Sequence, residues 1–306
     1  GQTHFFMETQ TCMAVPSEND SLYVHSSSQG PVDIRAAVMR ATSLPGHKVT
    51  VSTRRAGGGF GGKLSRSHPI AVACALAARI TNRPIKAQCS RTTDMDMFGG
   101  RHAFYMEYRV GFDNNGKILA LDVDFYQHGG HTYEANFGCM SMCLLWADNA
   151  YYVPNYTVSG FSCKTNTPSN TAMRSPGVFN SVWQMEYMME LIANQLGLEP
   201  DTVRANNFYT EGQLTPYQQP VTNITIQRVW SELQTQSNYS QVKTDVANFN
   251  AANKWRKQGV HMTAVKYGIT DPGNAVSILL NISSDDGSIV VSHTGVELGQ
   301  GINTKV

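Results

Sequence analysis

The 306-residue sequence predicts a mixed α/β fold, and three observations carry that reading. Up to Cys89 the chain alternates strand-like and helix-like segments, the rhythm of a sheet covered by helices. Residues 103–112 and 118–126 alternate apolar and polar side chains around Asp113-Asn-Asn-Gly116, a strong hairpin signal. Residues 180–196 place apolar side chains at helical spacing and stop at Gly197.

In order, residues 21–26 alternate like a strand. Gln29-Gly-Pro31 opens a helix over about 32–42, with Ile34, Ala37, Val38 and Ala41 on one face. Pro45-Gly46 turns the chain into a strand at 49–53. A glycine-rich loop, Gly57-Gly-Gly-Phe-Gly-Gly-Lys63, leads into an alanine-rich helix at 68–80 and a strand at 85–89. After the hairpin, residues 151–165 read as extended. The methionines of the 180–196 helix, Met185, Met188 and Met189, read as core packing. A capped helix follows from Asp201. Residues 213–258 are Gln- and Asn-rich and mostly helical, with Trp230 and Trp255 as expected anchors. Strands return at 260–267, 275–282 and 289–293, with a turn at Ser284-Asp-Asp-Gly287. The expected organisation is a first domain at 1–212, a helical connection at 213–258 and the start of a second domain at 259–306.

Composition excludes several classes. Lys plus Arg is 24 and Asp plus Glu is 23, a net charge of +1 without long charged runs, so no nucleic-acid arm is expected. No apolar run is long enough to span a membrane. Charged residues make up 15%, below the usual ~25%, which suits a chain partly covered by other domains. Six dispersed cysteines without a CxxC pair argue against a zinc site or a disulfide framework. A chain that begins at Gly1 and stops at Val306 inside an element is expected to belong to a longer, cytoplasmic parent.

The glycine loop satisfies two anion-binding patterns. Gly57, Gly59 and Gly62 fit G-x-G-x-x-G, and Gly57 with Gly62-Lys63 fits most of a P-loop. Both use bare backbone N–H groups to hold an anion. Leu64, however, stands where a P-loop needs Ser or Thr for magnesium, and residues 83–90 lack the acid that a dinucleotide fingerprint requires. A nucleotide-binding module is therefore the alternative from another class.

With Phe60 at its centre, the loop resembles the cofactor-gripping loop of the molybdenum hydroxylases, the xanthine dehydrogenase and aldehyde oxidase family. Four other segments agree in order: Gly1-Gln-Thr-His-Phe-Phe-Met-Glu-Thr9, Gly99-Gly-Arg-His102, the 163–174 loop ending in Arg174, and Glu297-Leu-Gly-Gln-Gly301. The resemblance implies a molybdopterin-binding domain, incomplete here, with Gln29, Phe60 and Arg174 near the metal. Phe60, Gly61, Gly299, Gln300 and Gly301 would hold the molybdenum-molybdopterin. Read without the resemblance, Gln29 is equally a turn or cap residue, and Arg174 equally a structural salt bridge.

Within the family, xanthine-processing members carry a Glu where this chain has Leu64 and an Arg where it has Met142. Losing both charges removes polar anchors for a purine and leaves an apolar pocket. The resemblance thus implies oxidation of aldehydes to carboxylic acids, with xanthine dehydrogenase as the alternative. It also implies two [2Fe-2S] clusters, FAD and a homodimeric parent passing electrons to dioxygen. The family's general-base Glu, in a Gly-Glu-Pro context, has no counterpart up to Val306, so no catalytic residue is expected in this chain and the chain alone is expected to be inactive. An aromatic of the family falls near Asp271-Pro272, where no role is assigned.

Overall fold

The computed structural model describes residues 2–268 and 278–306. Asp271-Pro272 and the first part of the strand expected at 275–282 lie outside them. The architecture is mixed α/β, built on two sheets and a separate hairpin.

The first sheet contains β1 (Thr11–Ser17), β2 (Ser21–Ser26), β3 (Val49–Ser52) and β4 (Ile85–Gln88), in the order β3-β2-β1-β4. Helix α1 (Pro31–Thr42) crosses between the parallel pair β2 and β3, and the other two pairings are antiparallel. Ala14, Leu22 and Val24 face Ile34 and Val38 of α1 and Ala71, Cys74, Ala75 and Ala78 of α2 (His68–Thr81), all buried. The small side chains on that face of α2 let it lie close to the sheet. Strand β1, which runs through the middle of this sheet, was not expected from sequence. Its polar positions and Pro16 hide the alternation.

A short helix, α3 (Arg91–Met97), capped by the Ser90 side chain, leads to the second sheet. There β5 (Phe104–Phe112) and β6 (Ile118–Gly130) form the expected hairpin, and β7 (Tyr156–Lys164) adds parallel to β6. Helices α4 (Asn136–Leu145) and α5 (Val178–Leu196) close its core. Phe125, Met140, Cys143, Met185, Met188, Met189 and Ile192 are buried together there, so the methionine stripe is core packing.

Helix α6 (Pro200–Asn207) precedes α7 (Ile226–Gln236) and α8 (Tyr239–Ala252) in the polar connection. Trp230 anchors it, buried against Phe208 at 5.2 Å between ring centroids. Trp255 does not: it is 86% exposed, with Lys254 Nζ over its ring.

Residues 260–267 form no strand. Met262 and Ala264 are buried, so the alternation is real, but side chains take the place of a ladder. Asn149 donates to the Ala264 carbonyl at 2.8 Å and accepts from Lys266 N–H at 2.9 Å. Lys266 Nζ reaches Asp148 at 2.5 Å. Buried Arg204 meets Glu186 and Glu190, each at 2.7 Å, and His261 at 3.0 Å. The chain then gives β8 (Ile278–Ile282) and β9 (Ile289–His293), an antiparallel hairpin, and ends in α9 (Ile302–Lys305).

Candidate cofactor site

The glycine loop sits between the end of β3 and the start of α2, and its shape is set from beneath by side chains. Gln29 Oε1 accepts from Gly61 N–H at 2.9 Å and Lys63 N–H at 3.2 Å. Phe60 adopts φ +54°, outside the usual region for an L-residue, and the residue is 46% exposed. Gly61, at φ +96°, has no room for a side chain, because a Cβ there would strike the Ala172 carbonyl. Arg174 N–H donates to the Phe60 carbonyl at 2.9 Å. Gln29, Phe60, Gly61 and the Arg174 loop are therefore brought together. The Arg174 side chain itself is exposed and makes no ion pair among the described residues.

Lys63 departs from the P-loop pattern. A P-loop lysine reaches a phosphate, whereas Lys63 is fully buried, with Nζ 3.2 Å from Glu8 and 2.8 Å from Ser27 Oγ. Burial pulls its pKa below the ordinary lysine range, against the pull of Glu8. Burial would raise the Glu8 carboxyl, but bonds from Gly57 N–H, Ser27 and Lys63 outweigh it, leaving Glu8 below its ordinary value. The lysine is thus spent on holding the loop, and the nucleotide alternative loses its cation.

The second glycine loop meets the first. Ala56 N–H donates to the Glu297 carbonyl at 2.9 Å, and Arg55 pairs with Glu297 as a short parallel bridge. Gly299 and Gly301 take φ +107° and +74°, and the Glu297 carboxylate accepts from both N–H groups. The Gln300 amide bonds Leu298 N–H and the Val296 carbonyl within its own loop. Leu64, 39% exposed, lies in the turn before α2, and half-buried Met142 lies on α4. These two stand on separate segments, tied through a hydrogen bond from Ser65 to Glu134.

Sequence reasoning missed the residues that brace the site. Glu8 holds Gly57 and Lys63. Arg101 donates to the carbonyls of Met173, Arg174 and Ser175 at 2.8–3.2 Å, fixing the Arg174 loop from behind. His4 meets the Ala172 carbonyl at 2.9 Å, and burial keeps its pKa below the ordinary 6.5. Buried Gln10 donates to the Gly62 carbonyl at 2.8 Å. Glu8 and His4 belong to the opening segment and Arg101 to Gly99-Gly-Arg-His102. Their segments were legible, but partners so distant in sequence were not.

The described donors suit an anionic, oxygen-rich group. Backbone N–H groups of Gly58, Gly59 and Phe60 have no partner among the described residues, and Gln29, with Oε1 committed, has its Nε2 left to donate. The molybdopterin cofactor-binding domain family matches residues 1–208 with its first model and 232–306 with its second. The chain belongs to that family. Its relatives are molybdenum hydroxylases: it is 39% identical to xanthine dehydrogenase of Drosophila subobscura and 36% identical to nicotinate hydroxylase of Emericella nidulans, in each case over the whole chain. It spans 23% of the length of those relatives. The aldehyde oxidoreductase of Desulfovibrio desulfuricans has the same fold, with a TM-score of 0.75 and 23% identity over 81% of this chain and 27% of that one. Quinoline 2-oxidoreductase of Pseudomonas putida gives 0.72 and 22%, over 82% of this chain and 33% of the other.

The molybdopterin cofactor fits this donor set. No group of three His, Cys, Asp or Glu side chains is placed to hold a metal among the described residues, and a metal carried by the pterin needs none. No helix among the described residues is long and apolar enough to cross a membrane.

Proposed function

We propose that the protein is part of an aldehyde oxidase that converts aldehydes to carboxylic acids at a molybdenum-molybdopterin cofactor. The observation that carries the choice of substrate is the pair Leu64 and Met142, uncharged where a purine would need polar anchors. The bound cofactor supplies two-electron oxidation with transfer of an oxygen derived from water. This chain's residues bind and orient. Gln29, held by Gly61 and Lys63 N–H groups, directs its Nε2 to an oxygen acceptor. The free N–H groups of Gly58, Gly59 and Phe60 take an anionic edge, and the Phe60 ring offers an apolar face. Arg174, on the loop bonded to the Phe60 carbonyl, would supply a cation, and Gly299, Gln300 and Gly301, on the loop that meets Ala56, would add further contacts to the cofactor.

The general base belongs to a part of the parent outside this chain, as do two [2Fe-2S] clusters and FAD, through which electrons reach dioxygen in a homodimeric cytoplasmic enzyme. The division into 1–212, 213–258 and 259–306 goes with this reading. Xanthine oxidation is the second reading, favoured by the xanthine dehydrogenases among the relatives. Comparing kcat/KM for benzaldehyde, a long aliphatic aldehyde and xanthine in the full-length parent decides between them. The aldehydes should lead; xanthine as the best of the three would overturn the proposal.

A further inference from the structure

The first sheet is covered on one face only. Helices α1 and α2 pack against Ala14, Leu22 and Val24 on one side, while the alternate positions of the same strands point the other way. There Lys86 of β4, Met13 of β1, His25 of β2 and Ser52 of β3 stand side by side in one register row. Ser52 Oγ lies 2.6 Å from His25 Nδ1. Met13 is 37% exposed, and Tyr23, two residues before His25 on the same face, is 47% exposed. A sheet face left to water ordinarily carries small or polar side chains along its strands. Met13 and Tyr23, large and mostly apolar, sit instead on the two central strands.

At the end that leads into the glycine loop, the unpaired charges on this face are of one sign. A hollow of about 400 Å³ there is lined by Met13, His25, Lys86, Arg54 and Arg55 together with Ser and Thr hydroxyls. Lys86, Arg54 and Arg55 form no ion pair among the described residues. The one carboxylate lining the hollow, Glu8, is already engaged. Its Oε2 accepts from Ser27 Oγ at 2.6 Å, Gly57 N–H at 2.8 Å and Lys63 Nζ at 3.2 Å. In a chain whose net charge is only +1, three such cations in one hollow make a local positive field.

The hollow also continues a contact that the sheet already makes with a distant part of the chain. Arg55, on its rim, bridges to Glu297, and Ala56 N–H beside it donates to the Glu297 carbonyl at 2.9 Å. More protein is available to extend that contact, since the chain spans 23% of the length of the relatives it matches.

We propose that the open face of the first sheet seats an acidic segment of the parent outside residues 1–306. Its carboxylates pair with Lys86, Arg54 and Arg55, and its apolar side chains cover Met13 and Tyr23. Opposite charge selects and orients the segment, and burial of the apolar centre holds it. From the proposed function the inference takes only that the chain is part of a longer protein. It holds equally for a parent that oxidises aldehydes and for one that oxidises xanthine, so the substrate comparison above and the test below fail separately.

The test uses the full-length, cofactor-loaded parent, mixed with an equal amount of isotope-labelled protein. A carbodiimide joins lysine amines to carboxylates in contact with them, and peptide mass spectrometry reads the joints. Lys86 should be joined to an Asp or Glu outside residues 1–306, within one molecule. Oxidation of Met13 by hydrogen peroxide should be about tenfold slower in the native parent than in urea. Lys86→Glu with Arg54→Glu should raise the native rate by about threefold or more, as like charges drive the segment off. Joints from Lys86 only to a differently labelled molecule would make the occupant a second copy and overturn the inference. Native oxidation of Met13 within about twofold of the rate in urea would do the same, because the face would then be open to water or hold only a small anion. Protection of Met13 that survives the charge reversal unchanged would show that the cover is not acidic, and would overturn it too.

Discussion

Lys63 and Glu8 form an asymmetric pair, and the asymmetry can be measured. The lysine side chain is fully buried and the glutamate is 35% exposed. Removing the glutamate strands a buried cation, so Glu8→Ala should destabilise the protein by about 3 kcal/mol, toward the low end for a buried pair because water reaches the carboxylate. Lys63→Met leaves only a partly solvated anion and should cost about 1 kcal/mol. Urea unfolding of both variants checks this, and equal costs would show that the pair is not organised as described. His4, His68 and His102 are held below the ordinary 6.5 chiefly by burial, so each is neutral when folded and takes up a proton more readily when unfolded. Stability should be full above pH ~6.5 and fall as the pH drops through their lowered values. A thermal scan from pH ~8 to ~5 should show Tm declining, and His102→Gln should flatten the slope; an unaltered slope in that variant would contradict its share. At this scale the sequence announced the glycine pattern plainly, yet could not say that its lysine points inward, because the partner lies 55 positions away.

Among the elements, the hairpin of β5 and β6 and the long helix α5 were legible because each declares itself locally, by a turn signal or an unbroken period. Strand β1 and helix α4 were not. The first carries Pro16 and polar residues in the middle of a sheet, and the second has a glycine and apolar residues on both faces. The 260–267 strap shows a different limit: its alternation was read correctly, but the hydrogen-bonding partner is a side chain. Asn149 makes bonds to Glu186, Ala264 and Lys266, so Asn149→Ala should cost about 3 kcal/mol at roughly 1 kcal/mol for each bond. Amide exchange at Lys266 should quicken in that variant. If Lys266 exchanges as slowly as before, the strap is held by burial of Met262 and Ala264 instead.

For the whole molecule, β8 and β9 expose Ile278, Leu279, Leu280, Ile282, Ile289, Val290 and Val291 by 41–65%, a sheet with no covering layer among the described residues. Such a surface seeks a partner. Residues 1–306 expressed alone should bind a hydrophobic dye and self-associate, and removing residues 259–306 should lessen both in light-scattering measurements. A monodisperse chain that ignores the dye would count against an uncovered hairpin. The two halves of the cofactor site meet at the bond between Ala56 and Glu297, which closes a loop of roughly 240 residues. So distant a closure is entropically costly and comes late in folding, after the local hairpins and helices. The pocket is therefore a clasp joined last: until Glu297 arrives, the strand end that leads into the glycine loop lacks its backbone partner at Ala56.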